Sequence, residues 1–131
     1  MTISTTPPRD FNNSTIINRL KEGFLIWLDI AKHIPKSARY TIGARIENKF
    51  LYLLELLYLA YFTEREKKVP KVIDCIFNLD TLKYLVQVAW EAKLIPQKPY
   101  ESVALKLTET GKMLGGWKGH LENPDKKNRA L

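Results

Sequence analysis

The chain has 131 residues, 45% of them hydrophobic and 11% aromatic, which suffices for one buried core in one domain. Lys and Arg number 21 against 14 Asp and Glu, a net charge of +7 that favours polyanionic partners, nucleic acid first, without requiring one. A single cysteine excludes an intrachain disulfide and suits a cytoplasmic protein, the first residues lack a signal-peptide pattern, and the longest apolar run, Phe50 to Phe62, is interrupted by Glu55 and falls short of the ~20 residues of a membrane span.

Residues 1–13 are rich in Thr, Pro and Asn, and Pro7-Pro8 excludes a helix there. They read as a flexible arm. Ser14 is a candidate N-cap for the first helix. Ile17, Leu20, Phe24, Trp27, Ala31 and Ile34 then recur at spacings of three and four, one apolar helical face. Pro35 ends it.

The second helix is the centre of the expected fold. Ser37 is its candidate cap, and it should run from about Lys36 to Glu66, roughly 45 Å. Ile46, Phe50, Leu53, Leu57 and Ala60 form one seam. Leu51, Leu54, Tyr58 and Tyr61 form a second, which suits a central helix or a wall shared between subunits. A charged turn, Thr63 to Lys68, leads to Pro70 in the first turn of a third helix. That helix carries Val69, Val72, Ile73, Ile76, Phe77, Leu82, Leu85, Val86 and Ala89 and reaches about Lys93. Pro96 and Pro99 open a fourth, with Tyr100, Val103, Ala104, Leu107, Gly111 and Leu114 again at three and four. Gly115-Gly116 should end or thin it. Residues 119–131 read as a polar, disordered tail. The expected fold is therefore all-α, an antiparallel up-down-up-down four-helix bundle over residues 14–118.

Catalytic and metal chemistry find no pattern. Di-metal bundles need inward Glu-x-x-His pairs, yet Ile30 and Trp117 stand three before His33 and His120. His33 instead complements the dipole at the end of the first helix. Neither histidine follows an arginine at the spacing helical nucleases use, and no nucleophile elbow or phosphate loop occurs. Cys75 reads as a small buried residue with no metal-ligand partner. Glu55 and Asp80 are candidates for a carboxylate pair, and more simply partners for basic side chains on neighbouring helices. Gly43 and Gly111 read as points of close helix approach. The chain reads as a non-enzyme without metal or cofactor.

The basic cluster is the better lead. Lys32, Lys36, Arg39, Arg45 and Lys49 surround the first turn and the start of the second helix. Arg45 and Lys49 are four apart and share a face. Arginines hold phosphates bidentately, lysines add point charge, and Tyr40 offers a ring for base stacking. The plainer alternative is a solvated face with salt bridges. Lys112, beside the double glycine and Trp117, adds charge at a second possible contact surface.

Three stretches also resemble a known family. Pro35 to Ile46 (PKSARYTIGARI), Leu79-Asp80-Thr81-Leu82-Lys83 through Ala89 with Lys93-Leu94-Ile95 and Tyr100, and Thr110 to Lys118 with Met113-Leu114-Gly115-Gly116-Trp117 are similar to Avd proteins, the accessory variability determinants of diversity-generating retroelements. The resemblance spans roughly Ile16 to Lys118. It implies a homopentameric barrel of four-helix bundles that binds RNA and cDNA and associates with a reverse transcriptase during mutagenic copying of a template RNA, without being the catalyst. Arg39 and Arg45 match basic residues of the family motif; Lys36, Lys49 and Lys112 join them on charge alone. The wider family includes proteins encoded in intervening sequences of ribosomal RNA genes, so a structural or interaction bundle is the alternative reading.

Overall fold

A computed structural model of the chain describes residues 15–123. The expected arm, the Ser14 cap and residues 124–131 lie outside the described residues. Four long helices, α1 (Thr15–Ala31), α2 (Ala44–Phe62), α3 (Lys68–Glu91) and α4 (Gln97–Glu122), run alternately up and down. No strand occurs among the described residues. Consecutive helices pack side by side and α4 closes on α1, so α2 and α4 are diagonal. This is the antiparallel four-helix bundle that the apolar periodicity predicts.

The core forms where the three-four spacing places it. Ile17, Leu20 and Trp27 of α1 meet Ile46, Phe50, Leu53, Leu57 and Ala60 of α2, all buried. Val72, Leu82, Val86 and Ala89 complete it from α3, and Val103, Leu107 and Leu114 from α4. Ile73 and Phe77 were expected inward but are 44% and 66% exposed, because they fall on the outer side of α3 while Cys75 and Leu79 take the inner one. The second seam of α2 also turns partly outward, with Leu51 43% exposed. An ionic network ties α1 to α4: Arg19 reaches Glu109 at 2.9 Å and Glu22 at 3.2 Å, and Lys106 reaches Glu22 at 2.7 Å. Lys106 and Arg19 hold the Glu22 carboxyl below its ordinary range, hydrogen bonding to Lys106 being the larger cause.

The second helix departs from the expected single rod. It begins with a short turn, Lys36–Ala38, and widens into a π segment, Arg39–Gly43, before regular α2 starts. Pro35, not Ser37, stands at the cap position, and its carbonyl accepts from the Ala38 and Arg39 amides, both at 2.9 Å. The Thr41 hydroxyl donates to the Ser37 and Ala38 carbonyls at 3.3 and 3.2 Å, partnering oxygens in the widened turn. A Cβ on Gly43 would meet the Ala38 carbonyl oxygen at 3.3 Å, so this glycine serves the π turn rather than the helix–helix approach expected of it. At the other end α2 stops at Phe62, earlier than expected, since Thr63 is extended.

The Gly115-Gly116 pair does not end α4, which continues to Glu122. An added Cβ at either glycine meets nothing within 4 Å. Gly111 does mark a close approach, with Leu79 Cδ2 at 3.3 Å from an added Cβ.

Candidate nucleic-acid interface

The π turn positions the first part of the basic cluster. Arg39 leaves it toward the end of α1, where its Nη2 donates to the carbonyls of Lys32 at 3.0 Å and Ile34 at 3.2 Å. A cation suits these oxygens, the negative end of the helix dipole. Arg39 is thus a structural clasp with part of its guanidinium committed. Beside it, Lys32, Arg39, Tyr40 and Glu47 border a hollow of about 350 Å³ between α1 and the start of α2. Tyr40 is 71% exposed, so its ring is open to stacking. Lys36 is exposed at the tip. Lys32 pairs with Asp29 at 3.7 Å, a contact too exposed to hold either group firmly.

Arg45 is exposed and makes no ion pair among the described residues, which leaves its donors for a phosphate. Lys49, one turn on, is half-buried and donates to Asn78 Oδ1 of α3 at 3.2 Å. Lys112 is exposed but lies on α4, diagonal to α2. The five residues therefore do not form one patch. Lys36, Arg39 and Arg45 gather at one end of the bundle, Lys49 leans toward α3, and Lys112 stands apart.

The structure adds residues that reading the chain in order missed. An antiparallel bundle brings its first and third loops to the same end. There His33, Lys93 and Lys98, with Asp29, border a second hollow of about 860 Å³ on the other side of the α1 terminus. Lys93 is held at φ 63°, the left-handed conformation that ends α3. Trp90 and Tyr100 stack at 4.7 Å with planes 7° apart, and the Trp90 indole donates to Gln97 at 2.9 Å, which fixes the turn into α4. The end of α1 is thus flanked by cations from two loops, with Asp29 and Glu47 the acids that border the two hollows. The up-down order of helices was the signal that joins the loops; linear spacing does not carry it.

No constellation for metal or covalent chemistry stands out elsewhere among the described residues. Among the described residues no group of three His, Cys, Asp or Glu side chains is placed to hold a metal ion. Glu55 and Asp80 are both exposed, and neither forms an ion pair among the described residues. Burial, with the Asp74 charge beside it, pushes the Cys75 thiol up to about 12, which makes it a poor nucleophile. No helix among the described residues is long and apolar enough to cross a membrane.

A family model described as bAvd-like matches residues 15–121, nearly the whole bundle. The chain belongs to the bAvd-like family. This agrees with the resemblance carried by the stretches around Arg39, Leu79 and Gly115-Gly116. At the family level it is an accessory protein of the diversity-generating-retroelement kind, a kind that is not itself catalytic. Comparison with curated proteins found no match. All the basic residues discussed above fall within the part matched by the bAvd-like family.

Proposed function

We propose that this bAvd-like protein is a non-catalytic, nucleic-acid-binding accessory subunit that works in the cytoplasm with a retroelement reverse transcriptase. It holds template RNA and cDNA through the bundle end where the first and third loops meet. The observation that carries the reading is the placing of Lys32, Arg39 and the exposed Tyr40 on one side of the α1 terminus and of Lys93 and Lys98 on the other, with Lys36 and Arg45 exposed at the same end of the bundle. Lysines and arginines there neutralise phosphates, and the ring supplies sequence-tolerant stacking.

The test is a titration of single-stranded RNA and DNA across a salt series. Binding should weaken steeply with salt, and each phosphate-contacting cation removed should lower the magnitude of the logarithmic slope by about 0.7. Arg45→Ala and the pair Lys93→Ala/Lys98→Ala should do so without unfolding the protein, and Lys112→Ala should have the smaller effect. A flat salt dependence, or full binding by these variants, refutes the reading. Co-purification with the reverse transcriptase of the same retroelement distinguishes the accessory role from that of a structural bundle of the ribosomal intervening-sequence type.

Self-association completes the proposal. Leu51 and Leu59 of α2 and Ile73 and Phe77 of α3 expose large apolar surface at 43%, 53%, 44% and 66%. A homopentamer would cover such rows. Light scattering that shows a monomer at micromolar concentration removes this part of the proposal and leaves the rest standing.

A further inference from the structure

The end of the bundle opposite the two basic loops holds a different kind of site. The start of α1, the end of α2, the turn after it and the end of α4 border an open cavity of about 580 Å³, within the range of small-ligand sites. Ile17 and Leu57 supply apolar lining and Trp117 an aromatic wall. Lys68, Arg65 and His120 also line it, and among the described residues no carboxylate does.

Lys68 is fixed in this cavity. Its ammonium donates to the carbonyls of Ala60 at 3.0 Å and of Tyr61. It also lies 5.7 Å from the Tyr61 ring centroid and 5.8 Å from that of Trp117. An ammonium has three N–H donors, so one remains for a ligand. Of the carboxylates nearby in sequence, Glu64, Glu66 and Glu122, none lines the cavity, and Glu122 pairs with Lys118 at 2.8 Å. Burial first and the Arg65 charge second pull the Lys68 ammonium below its ordinary range, as expected of a cation with no carboxylate beside it among the described residues. A bare inorganic anion would leave the indole and the aliphatic lining unused. A purely apolar ligand would leave the Lys68 and Arg65 charges without an anion. A planar ring joined to a phosphate uses both.

We propose that this cavity binds a purine nucleoside 5′-monophosphate unit, its base against Trp117 and its phosphate among Lys68, Arg65 and His120. Two sources carry that chemistry, a free mononucleotide and the phosphorylated 5′ end of a single strand. The site lies a helix length, roughly 30 Å, from Arg39 and Lys93 and does not rest on the nucleic-acid reading above.

The test titrates the full chain with adenosine 5′-monophosphate, adenosine, inorganic phosphate, and an oligonucleotide with and without a 5′ phosphate. The readout is the set of three tryptophan indole N–H resonances. Adenosine monophosphate should shift the Trp117 resonance and leave that of the buried Trp27 in place. Adenosine alone and phosphate alone should each bind at least about tenfold more weakly. Lys68→Met removes carbonyl contacts at the end of α2 and risks unfolding, so Arg65→Gln/His120→Gln, both exposed, is the primary variant. It should weaken adenosine monophosphate roughly tenfold with no change in Tm. A 5′-phosphorylated oligonucleotide that outcompetes its unphosphorylated twin for the site identifies the strand end as the source; competition by the mononucleotide alone identifies the free nucleotide. An unmoved Trp117 resonance, phosphate binding as tight as the mononucleotide, or full binding by the double variant overturns the proposal. The variants at Arg45, Lys93 and Lys98 should leave mononucleotide binding untouched, so failure here and failure of the salt-dependent interface are read separately.

Discussion

Replacing Arg39 with alanine separates a structural role from a binding role. The guanidinium makes two charge-assisted hydrogen bonds to the carbonyls of Lys32 and Ile34, in the turn just after α1, at 3.0 and 3.2 Å. A buried bond of this kind is worth about 1.5–3 kcal/mol. One of these is exposed and the other only part-buried, so solvent takes over much of the role when the arginine is lost. A net loss of about 1–2 kcal/mol follows, including the dipole contribution at the helix end. In a domain of this size that lowers Tm by roughly 3–10 °C. Arg45→Ala, which removes an exposed side chain with no ion pair among the described residues, should stay within about 0.5 kcal/mol of the parent. Thermal unfolding followed by circular dichroism, beside nucleic-acid titrations of the same two variants, gives both readouts. Arg39→Ala should lose stability and binding together, Arg45→Ala binding alone. An Arg39→Ala protein as stable as the parent would refute the clasp. An Arg45→Ala protein as destabilised as Arg39→Ala would refute the division of roles.

Other outcomes follow from single contacts. Gly115→Ala/Gly116→Ala should stabilise α4 by up to about 1 kcal/mol per site, because an added methyl meets nothing and alanine favours helix; a lower Tm would mean these positions are covered in the assembly. Gly43→Ala should instead destabilise, since the added carbon sits 3.3 Å from a backbone oxygen that cannot swing aside, and denaturant midpoints compare the two cases. The lowered Glu22 carboxyl contributes stability that is present above its unfolded pKa and lost as pH falls through the folded one. The parent should therefore lose more Tm than Glu22→Gln between about pH 5 and pH 3, and equal losses would show that the α1–α4 network is not coupled to folding. Cys75 should resist alkylation at mildly alkaline pH in the folded protein and react once unfolded, as mass spectrometry would show.

Much of this was legible before any coordinates. The seam Ile46, Phe50, Leu53, Leu57 and Ala60 is buried throughout because spacing alone fixes which residues share a helical face. Ile73 and Phe77 show the limit of that rule. Spacing groups them correctly, but which of two apolar stripes turns inward is decided by competition with Cys75 and Leu79 for the same interior. The π turn was invisible for a different reason. Arg39 to Gly43 have no composition that distinguishes a five-residue closure from a four-residue one, and the Thr41 hydroxyl is recognisable as its support only once the turn exists. Of the candidate site, Lys36, Arg39 and Arg45 were readable as a linear cluster. Lys93 and Lys98 joined them through topology, and Lys112 was separated from them by it.

The π turn also lets the chain carry one residue more without a change of helical phase. It holds one more residue per hydrogen-bonded ring than the helix it feeds. Deleting one residue between Tyr40 and Gly43 would let the backbone close as ordinary α-helix with little rotation of the first loop around the α2 axis. The guanidinium of Arg39 would keep its reach to the Lys32 and Ile34 carbonyls, while Arg45 and Lys49 stayed where they are. A one-residue gap at this point, when relatives are aligned, is thus a change of length rather than of geometry: it removes the widened turn and leaves the two halves of the basic stretch in register.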